Sequence, residues 1–281
     1  MRWILVIALA LVSAVAPRAT GQSSIVPDTV VVPSGTLRLH ALLWRPQGPG
    51  PFPAILFNHG GRITPEYAAV QSAALGPVFA RHGYVFLYLF RRGSVLSADQ
   101  GTSAGDLMAH ELEARGQDAR NRLQLQLLEG DMLSDAFAGL EFLRRLSGVD
   151  RSRVGVVGHS FGGSLTLLMA ERDTTLGAAV AFSGSANSWD HSMELRNRLR
   201  AAVGHATAPI FFAQAANDYS TAPTEALSAE MTRLGKPHGA KLYPAVGQTA
   251  DEGHDFVHLR VSEWEPDVFA FLDEYLRRRT P

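Results

Sequence analysis

The residues with the clearest chemical potential are Gly158-His159-Ser160-Phe161-Gly162. An apolar, β-rich run, Val154-Gly155-Val156-Val157, leads into them. The stretch 163–170 that follows has the spacing of a helix, with Leu165, Leu168 and Met169 on one face. A serine in so sharp a strand-to-helix turn has its hydroxyl pushed clear of the backbone at the amino end of a helix. Glycines two positions before and after are then required, because strand and helix approach too closely for a side chain. The pattern G-x-S-x-G alone also arises in glycine-rich loops; the flanking strand and helix give it meaning. A serine hydroxyl is a weak nucleophile at neutral pH, so an imidazole must take its proton and a carboxylate must orient the imidazole.

Asp218 ends an apolar run and His254 follows the next one, giving the chain order Ser, Asp, His expected when a nucleophile elbow comes first. Other histidines compete for the role of base. His159 sits inside the elbow with its side chain expected to point away, and His258 lies four residues beyond His254. His238 precedes its strand and would emerge at the wrong end of the sheet. His59, ahead of two glycines, suits an orienting role. For the acid, Asp190, Asp251 and Glu252 are weaker rivals of Asp218: the first follows an earlier strand, and the other two crowd His254 in sequence. Acyl transfer also needs two donors aimed at the developing oxyanion. The residue after the nucleophile, Phe161, supplies one backbone amide; the loop His59-Gly60-Gly61 can supply the other from Gly61. Arg62, Arg91 and Trp189 are candidates for a substrate pocket. Arg91 and Arg92 could meet a substrate carboxylate or form a structural salt bridge, and Trp189 could equally be ordinary packing.

The elements that must position these groups alternate. A β-hairpin is expected over 29–32 and 37–44, a strand buried on both faces over 52–57, and a helix over 64–81 with Thr64 as N-cap and Pro65 in its first turn. A strand over 84–90, an amphipathic helix over 131–146 with Leu133, Ala136, Phe137, Leu140 and Leu143 inward, and a strand over 178–182 follow. Then come a helix over 188–203, a strand over 209–213, a helix with Leu227, Met231 and Leu234 inward, a strand at 241–243 and a closing helix over 266–278. The polar stretch 94–129 reads as either a lid or a solvated excursion. Alternating strands and helices predict an α/β fold, a mostly parallel sheet covered by helices on both faces, with the site at the carboxyl ends of its strands.

With 281 residues, 46% of them hydrophobic, and a net charge of −1, the chain has the composition of an ordinary globule with no global attraction to nucleic acid. Residues 1–21 carry Met1-Arg2 and an apolar run ending in small residues, which is expected to be a secretory signal cleaved near Ala19-Thr20-Gly21. The mature chain, 22–281, is expected to form one domain, secreted or periplasmic, without stable membrane insertion. The absence of cysteine excludes disulfides, thiolate metal sites and a cysteine nucleophile.

Taken together, Asn58-His59-Gly60-Gly61, Arg91-Arg92-Gly93, Gly158 to Gly163, Asn217-Asp218 and Gly253-His254 resemble the α/β-hydrolases, in particular the branch that looks like dienelactone hydrolase and its secreted esterase relatives. The resemblance runs from Phe52 to the last helix. It implies the α/β-hydrolase fold, Ser160, Asp218 and His254 as a triad, a small or polymeric carboxylic ester as substrate, and no metal or organic cofactor. Dienelactone hydrolase itself uses a cysteine nucleophile, so its own substrate is not carried over. A serine peptidase related to the prolyl oligopeptidases, or a binding protein on the same fold, are the alternatives.

Overall fold

The computed structural model describes residues 26–277. One eight-stranded sheet organises them, in the order β1-β2-β4-β3-β5-β6-β7-β8. The strands are β1 (Asp28–Ser34), β2 (Leu37–Trp44), β3 (Phe52–Asn58), β4 (Val85–Phe90), β5 (Val149–His159), β6 (Ala178–Phe182), β7 (Ile210–Ala215) and β8 (His238–Tyr243). The hairpin β1–β2 and the β2–β4 pair are antiparallel; every later pair is parallel.

Strands β3 and β4 show why the central sequence lacks a polar alternation. Ile55 and Phe57, with Phe86, Tyr88 and Phe90, point to one face, while Ala54 and Leu56, with Val85, Leu87 and Leu89, point to the other. Both faces are covered, so both sets must be apolar. The first face packs α1 (Pro65–Arg81), α8 (Phe256–Leu259) and α9 (Val261–Leu276) through Phe79, Phe256, Trp264, Phe269 and Leu272. The second packs α3 (Asp131–Arg145), α4 (Phe161–Arg172) and α5 (Met193–His205) through Leu133, Leu140, Leu165, Leu168 and Leu199.

Local signals hold at several helix ends. Thr64 caps α1 by accepting from the Tyr67 amide at 3.2 Å, and the buried face of α3 contains Leu133, Ala136, Leu140 and Leu143 as expected, with Phe137 only partly buried beside them. Four boundaries differ. The closing helix begins at Val261 rather than at Pro266, because fully buried Trp264, whose indole donates to the Val257 carbonyl at 2.8 Å, fixes its first turn ahead of the proline. The stretch expected as a helix from 188 is a 3-10 turn (Trp189–His191) followed by α5, which Ser192 caps. Leu234 falls just past α6 (Ala222–Arg233) and is 39% exposed, so it does not share the buried face of Leu227 and Met231. His238 begins β8 instead of preceding it.

The stretch 94–129, read as either a lid or a solvated excursion, is mostly helical. It forms a 3-10 turn (Val95–Gln100) and then α2 (Ala104–Glu129), a helix interrupted at Gly116, where φ is 78°. Ser103 caps it, accepting from the Asp106 amide at 3.1 Å. The expected leader, residues 1–21, lies outside the described residues. Among those described, no helix is long and apolar enough to cross a membrane.

Candidate active site

Strand β5 ends at His159 and α4 begins at Phe161, leaving Ser160 alone in the turn with φ 57° and ψ −119°. Such a backbone is strained for any residue but glycine and persists only where its surroundings hold it. Here the Ser160 amide donates to the Phe182 carbonyl of β6 at 2.9 Å. The two motif glycines are obligatory: a Cβ on Gly158 would lie 2.1 Å from the Gly162 carbonyl oxygen, and one on Gly162 would lie 2.0 Å from that of Asn58. β5 and α4 thus cross in near contact beneath the serine. Ser160 faces a cavity of about 360 Å³ at the carboxyl ends of the strands, lined also by Gly61, Phe161, His159 and His254.

Asp218 follows β7 and His254 is the last residue of α7 (Ala250–His254). The His254 Nδ1–H donates to Asp218 Oδ1 at 2.8 Å, and the carboxylate is fully buried. Two further donors hold that carboxylate: the Tyr219 amide on Oδ1 at 2.7 Å and Gln214 Nε2 on Oδ2 at 2.8 Å. A carboxylate fixed in this way dictates the imidazole tautomer, leaving Nε2 as the ring's free base. Asn217 ties the two loops together. Its Nδ2 donates to the Val246 and Thr249 carbonyls at 2.8 and 2.9 Å, and its Oδ1 accepts from the Val246 amide at 2.8 Å.

The rival residues are engaged elsewhere. The His258 ring packs edge-on against Tyr67, with centroids 5.1 Å apart. Asp251 takes the Tyr219 hydroxyl, and Glu252 completes the capping box of α7 with Thr249. His159 is a correction: its ring lines the cavity rather than pointing away, 4.8 Å from the His254 ring, and its Nε2–H donates to the His254 carbonyl at 2.9 Å. Burial first, then the neighbouring His254, hold its pKa well below the usual histidine range, so it remains neutral.

Gly61 and Phe161 are brought together: a Cβ on Gly61 would lie 3.5 Å from that of Phe161. The Phe161 amide belongs to the first turn of α4, where helix geometry leaves donors unpaired.

Of the three pocket candidates, only Arg62 lines the cavity, largely exposed and 3.5 Å from Asp106. Trp189 is buried in the core beneath α5, outside the cavity lining. Arg91 is also outside it, fully buried and bonded to backbone carbonyls rather than to a carboxylate; Arg92 forms the ion pairs, with Asp131 and Asp135, both at 2.8 Å. The two neighbours part where the chain leaves β4 and enters a turn closed by the Ser94 amide on the Arg91 carbonyl at 3.1 Å.

The wall opposite the serine falls partly in the stretch 94–129, for which a lid was one of two readings, but sequence reasoning singled out none of its residues. Met108, Leu112, Arg120 and Gln124 of α2 and Ser185, Asn187 and Ser188 after β6 supply it. The serine loop follows a strand's carboxyl end, so the rule that located Asp218 points to it as well. Arg120 bonds only neutral groups, the side-chain oxygens of Gln124 at 2.6 Å, Ser188 at 3.1 Å and Asn121 at 3.3 Å.

Comparison with known proteins agrees with this architecture. The model of the dienelactone hydrolase family matches residues 39–261. Among solved structures, a dienelactone hydrolase from Anabaena variabilis superposes with a TM-score of 0.59 at 18% identity, over 89% of this chain and 99% of that one. The acylaminoacyl peptidase of Pyrococcus horikoshii superposes with a TM-score of 0.63 at 19% identity, over 91% of this chain but 42% of that one. The chain therefore spans about two fifths of the length of that peptidase. At these identities the superpositions establish a shared fold, while the family match, covering most of the sequence, is the stronger finding. The chain belongs to the dienelactone hydrolase family of hydrolases and has the α/β-hydrolase fold.

Proposed function

We propose that this protein is a serine hydrolase that cleaves carboxylic esters through an acyl-enzyme intermediate. One observation carries the reading: the Asp218–His254 hydrogen bond and the strained elbow of Ser160 converge on a single cavity. Ser160 Oγ attacks the ester carbonyl as His254 Nε2 takes its proton, and the Asp218 carboxylate stabilises the imidazolium. The amides of Phe161 and Gly61 receive the oxyanion. The imidazolium then protonates the departing alkoxide, and His254 next deprotonates the water that releases the acid, regenerating Ser160.

The cavity favours esters over peptides with a free amino terminus. Capture of an ammonium group calls for an available carboxylate, and the lining holds only that of Asp255, which accepts the Tyr67 hydroxyl at 2.6 Å. The decisive experiment is turnover of p-nitrophenyl acetate and butyrate beside aminoacyl-p-nitroanilides, with and without a serine-directed phosphonate, followed by mass mapping of the label. Ester turnover abolished by one label on Ser160 is the expected result. Anilide turnover alone would make the protein a peptidase, and an inert, unlabelled protein would favour a binding role.

A further inference from the structure

Among the described residues, Arg91 is the largest buried charged side chain, 1% accessible, and no carboxylate bonds to it, Asp135 acting on it only through space. Its Nη2 donates to the His59 carbonyl at 2.8 Å and to the Gly60 carbonyl at 2.7 Å. His59 Nδ1 also lies 2.7 Å from the Gly60 carbonyl, while its Nε2 accepts the Arg91 amide at 3.3 Å. These contacts fix one tautomer, with Nδ1–H as donor, and the 3.1 Å approach of Arg91 Nη2 to that same Nδ1 is then a donor–donor contact, not a bond. Burial, followed by the adjacent guanidinium, keeps the His59 ring neutral by holding its pKa well below the usual histidine range.

The Gly60 carbonyl thus accepts two hydrogen bonds from the interior side. In a trans peptide the carbonyl and the following N–H point in opposite directions. Holding the Gly60 oxygen inward therefore aims the Gly61 N–H outward, toward the cavity that Gly61 lines. The next peptide is held as well, since the Gly61 carbonyl accepts the Gly105 amide of α2 at 2.9 Å. The guanidinium carbon lies 5.7 Å from the centre of the Phe161 ring, so its charge stands behind the residues of both oxyanion donors.

We propose that Arg91 is a positioning residue for the oxyanion hole, orienting and polarising the Gly60–Gly61 peptide so that its N–H meets the developing negative charge. A buried cation is costly to keep where no carboxylate contacts it. Here the positive potential acts on a charge that exists only during the reaction, and a preformed donor needs no reorganisation when that charge appears. The proposal rests on the ester-hydrolase reading of the site.

The test compares wild type, Arg91→Lys and Arg91→Met for p-nitrophenyl butyrate turnover, thermal unfolding, and inhibition by an alkyl trifluoromethyl ketone, whose serine adduct carries an oxyanion. Loss of one oxyanion donor typically lowers kcat by about 10²–10³-fold. Arg91→Met is expected to lose about 10²-fold in kcat with KM within about two-fold, and to weaken the ketone by a similar factor. Arg91→Lys, which keeps the charge but on a shorter stem whose ammonium falls short of the place held by Nη2, falls between. A folded Arg91→Met with unchanged kcat, or with reduced kcat but undiminished ketone affinity, overturns the proposal. So does failure of both variants to fold, which would make Arg91 purely structural. A wild-type protein that neither turns over the ester nor binds the ketone would instead defeat the ester-hydrolase reading itself.

Discussion

The cavity has two walls built on opposite principles. The floor, formed by the ends of β3, β5 and β7, is held by backbone contacts so close that single atoms decide them, as at Gly158 and Gly162. Its buried histidines, His59 and His159, are kept neutral and bonded to main chain. The opposite wall is α2, amphipathic only in part, with buried Met108 and Leu128 alternating with buried Glu111, Asn121 and Gln124. It is interrupted at Gly116, where a Cβ would meet nothing within 4 Å. Proposed chemistry resides in the crowded wall, and shape in the looser one. Reacting groups tolerate displacements of only a fraction of an ångström, whereas a substrate-binding wall can vary without disabling the reaction.

Substitutions can break this contrast. Ser160→Ala and His254→Ala are each expected to lower kcat by about 10⁴-fold or more without loss of fold, while His258→Ala retains activity within a few-fold. Steady-state kinetics on p-nitrophenyl butyrate, with circular dichroism as the check on folding, distinguishes them. An inactive, folded His258→Ala beside an active His254→Ala would reverse the assignment of the base.

The glycines provide the next contrast. Gly162→Ala pushes a Cβ to 2.0 Å from the Asn58 carbonyl oxygen and is expected to prevent soluble folding. Gly116→Ala meets open space and is expected to cost about 1–3 kcal/mol for its left-handed backbone, leaving the floor intact. Urea unfolding midpoints and soluble yield measure both. Comparable losses at the two positions would mean that the walls are equally constrained.

Acid sharpens the comparison further. His59 and His159 have depressed pKa values when folded, so the unfolded chain binds more protons once the pH falls below about 6.5. The stability of staying neutral is present above that pH and is lost on acidification, at up to about 1.4 kcal/mol per pH unit for each histidine. His159→Gln, which can still donate to the His254 carbonyl, is expected to flatten the slope measured by urea unfolding between pH 5 and 7. An unchanged slope would show that the ring does not supply it.

The smallest effect is expected in the looser wall. Met108→Ala widens the cavity beside Gly61 and is expected to raise KM for short acyl esters about two- to ten-fold with kcat less affected. A chain-length series from acetate to octanoate reads this out, and a loss confined to kcat would instead place Met108 among the groups that support the oxyanion loop.

Much of the floor was legible because its signals are local. The run over 154–157, the glycines around Ser160 and the cap at Thr64 each reflect constraints set by immediate neighbours. The positions of Asp218 and His254 followed from the strand-end rule, and the 2.8 Å bond between them is the contact that rule implies. Other features carried no such signal. Nothing in Arg91-Arg92 says which guanidinium faces the core, because that depends on how strand β4 leaves the sheet. The turn of His159 toward His254 depends on where α7 comes to rest, some ninety residues away, by the sequence separation of 95.

The sequence by itself determined the alternation of strands and helices, the elbow with its obligatory glycines, and the order of serine, aspartate and histidine. All of these arise from short-range sterics, periodicity and capping. Tertiary structure alone decided that the polar stretch 94–129 becomes a helical wall, that Trp189 packs in the core, and that Arg91 grips the Gly60 carbonyl from behind. Those outcomes depend on which surfaces meet after the sheet is assembled. A polar helix or a buried cation is favourable only in relation to partners that are distant in the chain.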